Sequence, residues 1–146
     1  MFLVHGHDRE LKEAVARFIQ HIGLQPIILH EQPNSGRTVI EKFEVASDVG
    51  FAVILLTPDD TCAPSTKLSE TSTRARQNVV LELGYFMGKL SRNRVCALYE
   101  PPTEVPSDIH GIAYVGVDRA GAWKTKLAQE FVEAGLTIDL KALLSA

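Results

Sequence analysis

One stretch constrains this chain more than any other. Phe51-Ala52-Val53-Ile54-Leu55-Leu56 is an unbroken apolar run, preceded by Gly50 and ended by Thr57-Pro58. A strand with one wet face alternates apolar and polar residues, whereas an unbroken run of strand length is covered on both faces. Strands of that kind belong to parallel sheets sandwiched between helices. The rest of the chain therefore has to supply further parallel strands and the helices that cross over between them.

It does so in alternation. Met1 to His5 is a short apolar run feeding a glycine turn. Asp8 stands as a helix N-cap before Arg9 to Ile22, where Leu11, Val15, Phe18, Ile19 and Ile22 mark one helical face. Gly23 follows where a helix end favours a left-handed residue. Pro26 opens a second strand, Ile27-Ile28-Leu29, and His30 to Arg37 is a polar loop. Thr38 and Glu41 make a capping box for a short helix that starts near Val39 and ends near Ser47-Asp48. Thr61 to Thr73 is rich in Ser, Thr and Pro without periodicity and is expected to be a long loop. A strong helix spans about Arg76 to Leu90, followed by strands at Arg94 to Tyr99 and Ile112 to Val117. A long helix over Ala122 to Ala134, closed by Gly135, is followed by a tail, Thr137 to Ala146, with room for a short helix. The order predicts an α/β fold with a flavodoxin-like five-stranded parallel sheet and helices on both faces, one domain over residues 1–146.

Composition narrows the functional classes. With 45% hydrophobic residues, 23% charged and a net charge of −3, the chain is neither disordered nor a dedicated DNA or RNA binder. No apolar run approaches the roughly 20 residues of a bilayer span, so no membrane partner is expected. No secretory signal is visible, and Cys62 and Cys96 are too few for a disulfide framework, so a reducing, cytoplasmic setting is expected.

In a sheet of this type ligands bind beyond the carboxyl ends of the strands, at the point where strand order reverses. The loops at that edge are His5-Gly6-His7-Asp8, His30 to Thr38, and Thr57 onward. His5 and His7 with Asp8 form only a fragment of a metal site, and polar loop residues with a helix cap account for them better. Asn34-Ser35-Gly36-Arg37-Thr38 leads into a helix N-terminus, which suits either a phosphate cradle with Arg37 as its cation or a simple capped turn. Asp59-Asp60 reads as a solvated strand end rather than a magnesium site. Cys62 has only Lys67 as a nearby cation in sequence, which argues against nucleophilic catalysis.

The odd residue is Glu82. It lies among Val79, Val80, Leu81, Leu83 and Phe86, so its carboxylate is not expected to be fully solvated, and a buried charge needs a partner or a task. Arg74 and Asn78 would share its face if the helix started early. On the pattern alone, a satisfied core or edge carboxylate paired with Arg74 or Arg76, or a solvent-facing turn of an amphipathic helix, accounts for it better than a functional role.

Several stretches together resemble a known family. Phe2-Leu3-Val4-His5-Gly6-His7, Ile28 to Asn34, Gly36 to Lys42, Phe51 to Asp60, Arg74 to Tyr85, Pro106-Ser107-Asp108 and Ala122-Trp123 are similar to the bacterial TIR-like predicted nucleotide-binding proteins. These supply TIR effectors of anti-phage cyclic-nucleotide systems, including TIR domains fused to STING receptors. The resemblance covers nearly the whole chain and implies the TIR version of the flavodoxin-like fold. It implies an NAD⁺ glycohydrolase that cleaves the nicotinamide–ribose bond, with NAD⁺ as substrate and no cofactor or metal. The catalytic glutamate of the family matches Glu82. Gly6, His7, Asp8, Arg37, Thr38 and Asn78 are the residues expected to bind substrate, Asn78 standing where many TIR enzymes carry an aromatic. The family's BB loop corresponds to about Glu31 to Thr38. It implies activation by self-association through that loop, and a cyclic-nucleotide sensor domain such as STING, in cis or in trans. A non-enzymatic TIR assembly module and another nucleoside or nucleotide N-glycosidase are the alternatives. A phospho-receiver has the same fold but needs an acidic pair after the first strand, which is missing here.

Overall fold

The computed structural model describes residues 1–28, 49–107, 109 and 111–145. The elements are β1 (Phe2–Val4), α1 (Arg9–His21), β2 (Ile27–Ile28), β3 (Ala52–Leu56), β4 (Asp60–Cys62), β5 (Ser72–Arg74), α2 (Gln77–Leu90), β6 (Val95–Tyr99), β7 (Ala113–Gly116), α3 (Ala122–Glu133) and α4 (Leu140–Leu143). The main sheet has the order β2-β1-β3-β6-β7, and every neighbouring pair in it is parallel. This is the flavodoxin-like arrangement, with the reversal of strand order between β1 and β3.

The apolar run does what its pattern requires. All five residues of β3 are buried, and they alternate between two cores. Val53 and Leu55 face one core with Leu3, Cys96, Leu98 and the inner faces of α1 and α3. Ala52, Ile54 and Leu56 face the other with Phe2, Val4, Val95, Ala97 and the inner face of α2. Edge-to-face rings lock the first core: Phe51 meets Phe131 at 5.1 Å between centroids, and Phe18 meets Trp123 at 5.4 Å. Such pairs add about 0.5–1.5 kcal/mol each beyond their burial.

Local chemistry sets the helix ends. The Asp8 carboxylate accepts the Leu11 amide at 2.9 Å and so caps α1, and Gly23 (φ +86°) takes the left-handed position after it. Asp118 accepts the amides of Ala122 and Trp123 at the start of α3, while Gly135 (φ +81°) follows its end. The observed elements lie within a residue or two of the expected boundaries. The short tail helix is α4, capped by Asp139. The expected capping box at Thr38 and Glu41, and the helix after it, lie outside the described residues.

One expectation is overturned. Thr61 to Thr73 is not a loop throughout, because β4 and β5 form an antiparallel hairpin in the register Asp60↔Arg74, Thr61↔Thr73, Cys62↔Ser72. Glu104 extends it by a parallel bridge to Arg74, its amide donating to the Thr73 carbonyl at 2.7 Å. That third, sequence-distant partner stabilises strands too short to stand alone.

Candidate functional site

The parallel register of β1 and β3 brings the loops after Val4 and Leu56 side by side at the switch point. Asp59 laces them together. Its Oδ1 accepts the His7 amide at 3.1 Å and the Thr57 hydroxyl at 3.0 Å. Position 6 must be glycine for this, since a Cβ there would overlap the Asp59 carboxylate. Asp59 is thus a structural tie rather than a free strand-end acid, a role that no local pattern announces.

Over this edge lies a cavity of about 510 Å³ lined by His5, Gly6, His7, Arg9, Arg76, Asn78 and Val79. Its described lining holds two guanidiniums and two imidazoles and no carboxylate, so it favours an anionic guest. The His5 ring donates from Nδ1 to the Gly6 carbonyl at 2.8 Å. Arg76 donates from Nη1 to His7 Nε2 at 3.0 Å, which requires His7 to be neutral with its proton on Nδ1. Arg76 is also the N-cap residue of α2, and its side chain does not bond the first amides of that helix. A helix N-terminus and two arginines on one cavity are what a phosphate or pyrophosphate needs.

Glu82 sits on the same helix, one turn past Asn78 and Val79. The buried positions of α2 are Val79, Glu82, Leu83 and Phe86, the i, i+3, i+4, i+7 stripe of a helix face, so the carboxylate occupies a core position. It is 2% exposed. Burial raises its pKa from 4.5 to about 7, and the Arg76 charge pulls against that rise. Glu82 is not among the residues that line the cavity. On α2 it follows by one turn Asn78 and Val79, which do line the cavity.

The sequence candidates therefore separate. Gly6, His7 and Asn78 meet at the cavity. Asp8 caps α1 and is not part of the lining. Arg37 and Thr38 lie outside the described residues. Arg74 belongs to β5 and not to an early start of α2, so it does not share the helix face of Glu82. Arg9 and Arg76 line the cavity although sequence reasoning passed over them as binding residues. Arg76 carried a visible signal, as a cation immediately before a strong helix. Among the described residues no three His, Cys, Asp or Glu side chains are grouped to hold a metal. Nor is any described helix long and apolar enough to cross a membrane.

A five-stranded parallel sheet with this strand order, a cationic cavity at its switch point and a buried glutamate on the helix beside it define an α/β domain of the TIR type. Comparison with known proteins gives the same answer at finer grain. The model of the CAP12/Pycsar effector protein TIR domain matches residues 1–119, and the chain belongs to that family. It is 50% identical to the uncharacterized protein YuaY of Escherichia coli K12 over 100% of this chain and 49% of that protein. Protein tirC of Dictyostelium discoideum is 35% identical over 79% of this chain and 62% of its own length. The Pycsar effector protein PaPycTIR of Pseudomonas aeruginosa is 37% identical over 50% of this chain and 23% of its own length. The chain thus spans less than two thirds of each of these relatives.

Proposed function

We propose that this chain is an NAD⁺ glycohydrolase that cleaves the nicotinamide–ribose bond when its domains are clustered, acting in anti-phage defence under the control of a cyclic-nucleotide sensor in cis or in trans. The observation that carries the reading is Glu82: a carboxylate 2% exposed, on the helix that walls a cationic switch-point cavity. Family membership supplies the setting of an effector domain.

The chemistry suits these groups. Nicotinamide leaves as a neutral base from a cationic glycoside, so the departing group needs no acid. Positive charge develops on the ribose, and a preorganised carboxylate in a low-dielectric site stabilises it. The same carboxylate accepts from the ribose hydroxyls, or acts as nucleophile or base as in glycosidases. Arg9, Arg76 and the first amides of α2 would receive the pyrophosphate. Self-association through the Glu31 to Thr38 loop belongs to the same proposal.

The test is nicotinamide release from forcibly clustered protein. Glu82→Ala should lower it by roughly 10²–10³-fold, the usual loss when one preorganised stabilising group is removed. Full activity in that variant rejects the role of Glu82. A second reading, an assembly module without turnover, draws on Leu81, which is 69% exposed on the outer face of α2 next to Glu82. It would be favoured by clustering and signalling with no nicotinamide released.

A further inference from the structure

NAD⁺ cleavage at the switch point leaves a second recess unused, on the other side of the first turn of α2. The hairpin register places Cys62, Ser72 and Arg74 on one face of the β4–β5 ribbon. Glu104 joins that face: its Oε2 accepts the Ser72 hydroxyl at 2.8 Å. That bond uses the one Ser72 proton, so the Cys62 thiol is the donor in its 3.3 Å contact with Ser72 Oγ. Two adjoining cavities, about 470 Å³ and about 490 Å³, share Cys62, Arg74 and Glu104 in their linings. The first adds an apolar wall of Val80, Val105 and Pro106. None of its lining residues lines the switch-point cavity. Among the described residues the Arg74 guanidinium has no ion pair or hydrogen bond, although Asp60 lies opposite it in register.

We propose that this recess is a second small-molecule site, independent of the NAD⁺ reading. Its ligand is an organic anion, a phosphate or carboxylate on a body that has an apolar ring face and hydrogen-bond donors. Arg74 offers an unoccupied bidentate fork for the anion. Glu104, already positioned by Ser72, has acceptor capacity left for a hydroxyl or amine. Val80, Val105 and Pro106 form the shelf for the ring, and a volume of about 470 Å³ suits a compact ligand. An arginine with no partner among the described residues, beside a carboxylate held in place, is an arrangement set for a guest bearing both an anion and a donor.

Cys62 reports occupancy directly, because it lines both cavities, whereas Cys96 is wholly buried and its thiol pKa is pushed far up by burial. The experiment follows iodoacetamide alkylation of Cys62 in the whole chain with AMP as probe, and with inorganic phosphate and adenosine as separate arms. AMP should slow alkylation in the wild type and equally in Arg76→Gln, whose changed side chain lines the other cavity and not this one. Arg74→Gln should raise the AMP concentration for half-protection by roughly tenfold or more, the loss of one charge-assisted fork. Arg74→Lys should fall between the two, and unchanged thermal melting of both variants confirms their folding. Phosphate and adenosine should each protect only at higher concentration. An alkylation rate untouched by millimolar AMP overturns the proposal. So does equal protection in Arg74→Gln, or protection that vanishes in Arg76→Gln instead. Phosphate protecting as well as AMP overturns the assignment of a ring-bearing ligand.

Discussion

Replacing Glu82 by glutamine should make this protein more stable at alkaline pH and leave it little changed under acid. The reason is that the Glu82 pKa rises from 4.5 to about 7 on folding, chiefly through burial. Below pH 4.5 the carboxyl is protonated in both the folded and the unfolded chain. Between 4.5 and about 7 the unfolded chain has released the proton and the folded one retains it, so stability falls as pH rises. Above about 7 the folded state carries the buried charge at its full cost. At roughly 1.4 kcal/mol per pH unit that interval amounts to about 3 kcal/mol. Glutamine fills the same space and does not titrate. The stability gap between Glu82→Gln and wild type should therefore open by about 3 kcal/mol from pH 4 to pH 8, in favour of the variant. Urea unfolding followed by the fluorescence of Trp123, the single tryptophan and buried against Phe18, measures it. The midpoint difference should grow by roughly 1–2 M across the range. A gap constant with pH, or one that opens in the opposite direction, would refute the burial argument.

The same ionisation should govern catalysis: nicotinamide release from clustered protein should rise with pH through about 7 as Glu82 loses its proton. Arg76→Gln should move that midpoint upward, because the Arg76 charge holds the Glu82 pKa down; a pH–rate profile of the variant reads the shift. Gly6→Ala should cost about 1–3 kcal/mol in urea unfolding, since the new methyl meets the Asp59 carboxylate, and Asp59→Ala in the same chain should return part of the loss. Asp8→Ala should cost about 1 kcal/mol through the lost cap of α1, read by the same unfolding assay.

The parts of the fold that were legible from sequence are those written in local periodicity. β3 announced itself because both of its faces are covered, and α1 because its inner face and both of its ends follow simple rules. Glu82 was legible for the same reason, a charge in a helical core stripe. The β4–β5 hairpin was not, because its strands have three residues each and depend on Glu104, thirty residues beyond Arg74 in the chain. Once the hairpin takes Arg74, that residue is lost to α2, and the expected alignment with Glu82 goes with it. Arg76 meeting His7 across 69 residues, and Asp59 meeting the His7 amide across 52, are products of the parallel register and leave no mark on either segment alone. The site was thus readable in its helix and unreadable in its ties.

The bond from Arg76 to His7 joins the start of α2 to the loop after β1 within the lining of the switch-point cavity. The guanidinium spends one of its five donors on the ring and keeps the others, so an anion reaching this exposed pair would compete for a single bond. The His7 backbone is held separately from its ring, because its amide donates to Asp59. Losing the ring contact would therefore leave the loop's own tie to Asp59 and Thr57 intact.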